Sequence, residues 1–427
     1  MIPSGRLVLL LLAPLCAAAV AIYATPAVPV VVALDLLVLA VAAADAFGRR
    51  PTIRIVRESP PTAPVAREVT VHLRVSHDAA GPIALDLADD APGVVSGLPV
   101  TVLVPAGREV VVTYRVRVDR RGRYRFGDVV AQGRSALGLW GWRRSVPLGA
   151  DVHVLPDVAR FRQWALEARL DLRMPSRVSV RRPGADSEFQ RLRPYVVGDP
   201  FKHVDWRATA RRSSLVSREF GQERGQNVIL LVDAGRMTSG RFEGRSLFDH
   251  GLDAALALGH AALRHGDRVG MLVYDRSARV WLPPRGGARS GGRLVRAVFD
   301  QEPSDHASDH DLAFNLLATR VRQRCLVVVI SSIIDDVEAD LADRLVSALA
   351  RRHLPLCVML RDPAVEARLS TGGDPWSQGA AAELMGWRAR RLERLQQRGA
   401  LVVDATPGRV TPALLARYLE IKATRAL

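Results

Sequence analysis

The sequence predicts a multidomain chain: an N-terminal transmembrane helical hairpin, an antiparallel β-sandwich, and a doubly wound α/β domain. Three observations predict it. Two long apolar runs precede residue 48, hydropathy alternates with a period of two between residues 67 and 156, and continuous apolar strands alternate with amphipathic helices after residue 227. The expected boundaries are 1–50 for the hairpin, 51–156 for the sandwich, 157–226 for a connector and 227–427 for the α/β domain.

The apolar runs are Leu7–Ala24, which carries no charge, and Ala27–Phe47, interrupted by Asp35 and Asp45. Each approaches the ~20 residues that span a bilayer. Thr25-Pro26 between them suits a tight turn. Arg6 precedes the first run, and Arg49, Arg50, Arg54 and Arg57 follow the second. The positive-inside rule then puts both ends, and everything after residue 48, in the cytoplasm, as a multi-pass protein of the inner membrane. Arg6 and the small residues at 17–19 also suit a cleaved signal peptide, but the second apolar run favours the hairpin. Asp35 is expected at a helix–helix or oligomer contact that hydrates it.

In the sandwich, Val69–Val75 and Val110–Val118 alternate cleanly, and Tyr124–Phe126 and Val152–Val154 add short strands. Arg120–Gly127 reads as a turn entering a strand, and Gly138-Leu-Trp-Gly-Trp142 as a turn whose indoles anchor an edge. In the connector, 161–170 has the pattern of a short helix and the basic stretch 177–184 that of an exposed loop.

The α/β domain opens on the strand Val228–Val232, which stops on Asp233. Leu247–His265 has helical spacing, Val269–Tyr274 is the next strand, and Ala278–Leu282 a short edge strand. Helices around 293–299 and 312–322, the strand Leu326–Ile330, the helix Asp336–Arg351, the strand Leu354–Leu360, the helix Ala381–Arg398, the strand Ala400–Val403 and the helix Pro412–Ile421 complete it. Such alternation indicates a mostly parallel sheet covered on both faces. Ligands of these sheets sit beyond the carboxyl ends of the strands, where Asp233, Asp275, Ser331 and Ser332 map.

Composition narrows the function. The net charge is +16 over 427 residues, which admits a nucleic-acid or anionic-lipid partner. Lys202 and Lys422 are the only lysines, however, so the excess is arginine and reads as a coding bias. No zinc-finger spacing or aromatic ribonucleoprotein motif accompanies it. Cys16, Cys325 and Cys357 include no paired spacing that would suit a metal or a redox motif.

The densest stretch is 190–233, with Arg193, Tyr195, Gly198, Asp199, Lys202, His203, Asp205, Trp206, Arg207 and Arg211 near its start. With RRGRYRFGDV at 120–129, SALGLW at 135–140 and LPPRGG at 282–287, it resembles the bacterial domain-of-unknown-function family 58, over most of the chain from about residue 50. The second half of such proteins is a von Willebrand factor type A-like domain. The resemblance implies a partner rather than a reaction: an adaptor or scaffold working with a MoxR-type AAA+ ATPase or its client. Asp199, Asp205, Trp206 and Arg207 would brace the block on the sheet or face that partner, and bracing is the expected role because Trp206 is a large apolar anchor.

Type A domains commonly hold Mg²⁺ through an Asp-x-Ser-x-Ser turn, a threonine of a second loop and an aspartate of a third. Here Asp233 remains, but Gly235 and Met237 replace the two hydroxyls, Arg236 adds positive charge, and Ser332 stands where the third-loop acid would be. The second loop offers Ser308 and Asp309. No metal is therefore expected, and Asp233 is expected to pair with Arg236 or to cap a backbone turn. The Asp-His pairs at 305–306 and 309–310 read as solvated loop residues. No Walker motif, HExxH or Gly-x-Ser-x-Gly is present. The glycine-rich 286–292 reads as a mobile loop rather than an anion cradle. Two alternatives to the adaptor stay open: a hydrolase using His203 with Asp199 or Asp205, and a basic binder of nucleic acid or anionic lipid.

Overall fold

The structure is a computed structural model that describes residues 2–12, 27–47, 51–157, 160, 163–164, 189–196, 201, 204–220, 225–332, 336–370 and 374–424. The chain divides into two compact units, Met1–Pro156 and Asp157–Leu427. The expected helix at 161–170 and loop at 177–184 fall largely or wholly outside the described residues.

The first unit is β-rich. Ile53–Glu58, Glu68–His77, Val110–Arg117 and Val94–Ser96 form one antiparallel sheet, and Trp140–Val146, Val129–Arg134, Ile83–Asp89 and Val100–Val104 form most of another. Alternate residues of both sheets, among them Val71, Leu73, Val75, Leu85, Leu87 and Ala131, meet in one core, which is what a period of two dictates for a sheet with one dry face. A third sheet pairs Ala150–Leu155 with Gly122–Phe126 and, in parallel, with Thr62–Pro64.

That core contains an ion pair. Arg57 and Asp89 are both buried, with side-chain exposures of 2% and 0%. Arg57 Nε donates to Asp89 Oδ2 at 2.9 Å, Nη2 bonds the other carboxylate oxygen, and the remaining donors reach Leu148 O at 2.7 Å and Gly127 O at 2.9 Å. Tyr114 Oη donates to the same Asp89 oxygen, and the guanidinium stacks over Phe126, 4.9 Å from the ring centre. Arg57 is thus an internal cation of the sandwich rather than one of the charges flanking a membrane span.

The expected hairpin is corrected. Among the described residues no helix is long and apolar enough to cross a membrane, which overturns the transmembrane hairpin, the integral membrane attachment and the multi-pass inner-membrane placement. The second apolar run does form a helix, Ala27–Phe47, but its last turns are spoken for. Asp45 accepts from Ser135 Oγ, from Leu137 N at 3.0 Å and from Leu139 N at 3.3 Å. Burial opposes its charge, but these donors outweigh burial and hold the carboxyl below the ordinary aspartate range. Trp140 Nε1 donates to Ala42 O at 2.8 Å, and Leu7, Ala42 and Leu139 pack together. The SALGLW stretch is therefore the loop that docks this helix on the β unit. Leu34, Leu36 and Leu37 of the helix are exposed.

In the second unit we number the elements of the large sheet and its helices: β1 Asn227–Asp233, α1 Leu247–Arg264, β2 Arg268–Tyr274, β3 Ala278–Arg285, α2 Arg289–Val298, α3 His310–Arg320, β4 Leu326–Ser331, α4 Asp336–Ala350, β5 Leu354–Leu360, α5 Pro363–Ser370, α6 Pro375–Gln397, β6 Leu401–Ala405 and α7 Val410–Thr424. The strand order is β3-β2-β1-β4-β5-β6, all parallel except β3. β1 is buried along its whole length, as a strand covered on both faces must be. Ile229 and Leu231 pack with α3 and α4. On the other face, Gly259 of α1 lies within reach of Leu230 and of Leu294 of α2. α1 begins on a capping box, Ser246 with Asp249. At the edge, Pro283 and Pro284 of β3 lack N–H groups, so the LPPRGG stretch blunts a strand that would otherwise pair with another chain.

Candidate functional site: the strand-end corner and the signature block

Parallel strands bring their carboxyl ends together, so Asp233 at the end of β1, Asp275 just beyond β2, and Ser331 and Ser332 at the end of β4 share one rim. Asp233 is 2% exposed. Its Oδ1 accepts from Gly235 N at 2.8 Å and from Ser308 Oγ, and its Oδ2 accepts from Ser331 Oγ. Thr238 Oγ1 closes the turn by donating to Gly235 O at 2.8 Å. The carboxylate thus caps a backbone turn and holds two hydroxyls, one from the 304–308 loop and one from the end of β4.

Gly235 is required sterically. A Cβ there would lie 2.1 Å from Ser308 Oγ and 2.9 Å from His306 O. The loss of a hydroxyl at 235, read from the sequence as degeneration, makes room for the loop that brings Ser308 in. That loop is stitched to the rim by Arg236 N donating to His306 O at 2.8 Å and Ser304 N to Ala234 O at 2.7 Å.

Asp275 is also buried. It accepts from Ser277 N at 2.9 Å, from Ser304 Oγ at 3.0 Å, and from Arg279 Nη2 at 2.6 Å and Nε at 3.0 Å. Burial works against its charge, but the Arg279 fork and the serine and backbone donors outweigh burial, and the carboxyl is held well below the ordinary aspartate range. A depressed aspartate contributes stability at every pH above its ordinary value, and that contribution is lost as pH falls through the lower folded value. Arg279→Met is therefore expected to raise the midpoint of acid unfolding, measured by circular dichroism across an acid titration. An unchanged midpoint would remove Arg279 from this role.

The remaining predicted corner residues do not converge. Ser332 is buried but donates to Leu360 O at 3.1 Å, away from Asp233. Met237 is half-buried in a short 3₁₀ turn and Arg236 is exposed. Asp309 caps α3 through Leu312 N at 2.8 Å, and His310 is buried against Tyr274, its Nδ1 2.9 Å from the phenol oxygen. Ser290 Oγ bonds Gly286 O at 2.7 Å within the glycine-rich stretch, at the start of α2.

The donor set does not suit Mg²⁺. A hard divalent cation wants several oxygen ligands with carboxylate charge. Here Asp233 is one carboxylate whose neighbouring hydroxyls spend their protons on it, and Asp275 is neutralised by Arg279. Among the described residues no group of three or more His, Cys, Asp or Glu could hold a metal.

The signature block forms its own small motif. Phe189–Pro194 pairs antiparallel with Val216–Phe220, and a short helix, Trp206–Arg212, lies between them in sequence. Asp205 is its N-cap, accepting from Arg207 N and Ala208 N, both at 3.0 Å. Asp205 N donates to Val216 O at 2.8 Å, and Thr209 Oγ1 accepts from Val216 N at 3.1 Å. Asp205 is thus a structural cap, and Asp205→Ala is expected to cost about 1 kcal/mol locally. Hydrogen exchange over 206–212 reads this directly: faster exchange there with the large sheet unchanged is the expected result. Arg193 Nη1 donates to Pro194 O at 3.2 Å. Tyr195 sits 5.9 Å, centre to centre, from the ring of Phe201. Arg207 and Arg211 are exposed, and Trp206, expected as a bracing anchor, is 62% exposed. Gly198, Asp199, Lys202 and His203 lie outside the described residues.

Thr238, Ser304 and Arg279 belong to no motif in the sequence, and Ser308 stands out there only as a candidate metal ligand. The signal that was available is the crowding of short hydroxyl residues in the loop 304–308, opposite a strand that ends on an acid.

Residues 191–383 match the family model described as "Protein of unknown function DUF58". An uncharacterized protein of Mycobacterium tuberculosis is 28% identical over 200 residues, covering 46% of this chain and 62% of that protein. Uncharacterized protein YeaD of Bacillus subtilis is 25% identical over 232 residues, covering 54% of this chain and 56% of that protein. The matched stretch therefore spans less than two thirds of either relative. Among solved structures, the conserved hypothetical protein BatB from Bacteroides thetaiotaomicron aligns with 47% of this chain and 99% of its own at 14% identity, with a TM-score of 0.32, which is too weak to argue from.

Proposed function

We propose, for a chain that belongs over residues 191–383 to the family of unknown function DUF58, a non-catalytic docking role. In this reading it is an adaptor or scaffold that presents the strand-end rim of its α/β unit and its signature block to another protein. The partner class, an AAA+ ATPase of the MoxR type or its client, comes from the family resemblance.

One observation carries the reading. At the place where such sheets take ligands, the acid is buried and its oxygens are engaged by Gly235, Ser308 and Ser331 of its own chain. A general base or nucleophile needs a free lone pair within reach of a substrate. Asp233 is closed off and Asp275 is held by Arg279, so the rim supports recognition better than chemistry. Asp205, one candidate to orient a catalytic His203 in the hydrolase alternative, has one carboxylate oxygen spent on a helix cap.

The test is direct binding between the purified full chain and a purified MoxR-type ATPase from the same organism, with ATP and with a non-hydrolysable analogue. Saturable binding in either nucleotide state is the expected result. No binding in either state, or esterase or peptidase turnover by the chain that His203→Ala abolishes, would overturn it.

A further inference from the structure

We infer that the outward face of the helix Trp206–Arg212 docks an acidic segment carrying apolar side chains on a partner protein. The inference rests on the docking reading in taking a protein as the partner, but not on which protein that is.

The observation is a mismatch between residue type and burial. Trp206 is 62% exposed and Phe201 67%, with Val196 and Leu215 also exposed. They are gathered at one end of the hairpin: Tyr195 N donates to Leu215 O at 2.9 Å, Val204 N to Phe201 O at 3.1 Å, and Val204 bridges Ser217. Large apolar groups grouped on a surface mark an interaction site more often than single exposed ones do.

The helix adds charge of one sign. Arg207, Arg211 and Arg212 are exposed, none of its own residues is acidic, and the preceding Asp205 spends one oxygen on the cap. At 3.6 residues per turn, Trp206, Arg207, Ala210 and Arg211 share one side. Thr209 lies on the other side and is bonded to the hairpin through Val216 N. The outward side therefore offers an indole beside two guanidinium forks. Tryptophan and arginine are the residues that anchor protein interfaces, and a guanidinium fork matches a carboxylate in geometry and charge. The complement is a stretch of Asp or Glu interleaved with aliphatic or aromatic residues.

Other anionic partners fit less well. Nucleic acid is held along a track of basic residues with successive stacking platforms, whereas these arginines occupy two turns of one short helix. A lipid surface takes a longer amphipathic helix than this one.

The experiment uses the full chain and four fluorescent probes: a short peptide of glutamate and leucine, its lysine-for-glutamate counterpart, single-stranded DNA, and vesicles containing phosphatidylglycerol. Binding is read by anisotropy, and by vesicle co-sedimentation for the last. Hydrogen exchange maps the bound region. The expected result is that the acidic peptide binds and the lysine peptide does not, with protection over 204–215. Affinity falls with salt and weakens about tenfold or more in Trp206→Ala and in the double variant Arg207→Glu/Arg211→Glu. Arg207→Lys, which keeps the charge and loses the fork, gives a smaller loss without disturbing the fold. No acidic-peptide binding, binding unaffected by these variants, or DNA or vesicles binding more tightly through the same residues would overturn the inference. If the ATPase of the preceding test binds the wild-type chain and Trp206→Ala equally, this inference fails while the docking reading stands. If the ATPase does not bind but the peptide does, only the identity of the partner fails.

Discussion

Arg57→Met is expected to destabilise the β-rich unit by about 3–5 kcal/mol, the cost of breaking a buried ion pair from one side. Asp89 is fully buried. Without the guanidinium its charge keeps the Tyr114 hydroxyl as its remaining described side-chain donor, and the carbonyls of Leu148 and Gly127 lose a donor each. Tyr114 reports the same coupling: burial and the adjacent Asp89 carboxylate push its phenol far above the ordinary range. The double variant Arg57→Met/Asp89→Leu should recover much of the loss, because an apolar pair of similar size removes the unpaired charge. Because the chain has two units, differential scanning calorimetry of the full chain should show the β-unit transition shifting while that of the α/β unit stays. Equal stability of Arg57→Met and wild type would show that the pair is not buried in solution.

Asp233→Ala should be the costliest single change in the α/β unit. It orphans the Gly235 N–H and the Ser308 and Ser331 hydroxyls, all buried. Each unsatisfied group costs about 1–3 kcal/mol, less wherever water enters the space. Gly235→Ala should act on the same joint by another route, since its methyl would clash with Ser308 Oγ, 2.1 Å away; overpacking of this kind costs about 1–3 kcal/mol. If the corner is one cooperative unit, the two changes are less than additive. Chemical denaturation of the two single variants and the double variant, followed in the α/β unit, gives that coupling. Full additivity would mean that the turn and the 304–308 loop are held independently.

The parts of the fold that repeat were legible in the sequence. Glu68–His77 and Val110–Arg117 alternate because one face of each strand is dry, and β1, β4 and β5 carry continuous apolar runs because both faces are. What could not be read depends on partners far apart in the chain. Arg57 looked like a charge flanking a membrane span because its partner, Asp89, comes from another strand. Asp45 looked like an interruption of an apolar span because its donors lie in the loop 135–139. At the rim, Asp233 and the hydroxyl-bearing loop were both visible, but a linear motif reads hydroxyls two and four residues after the acid. The chain supplies them from Ser308 and Ser331 instead. The hairpin of the signature block was hidden for the opposite reason: two short strands, Phe189–Pro194 and Val216–Phe220, mix polar and apolar residues and carry little periodicity.

We propose that Asp233, which accepts hydrogen bonds from Gly235, Ser308 and Ser331, anchors the strand-end rim rather than ligating a metal. Calorimetric titration of Mg²⁺ and of Mn²⁺ into the full chain, repeated with Asp233→Asn, tests it most directly. No saturable heat is expected from either protein. Saturable binding to the wild-type chain that disappears in Asp233→Asn would contradict it.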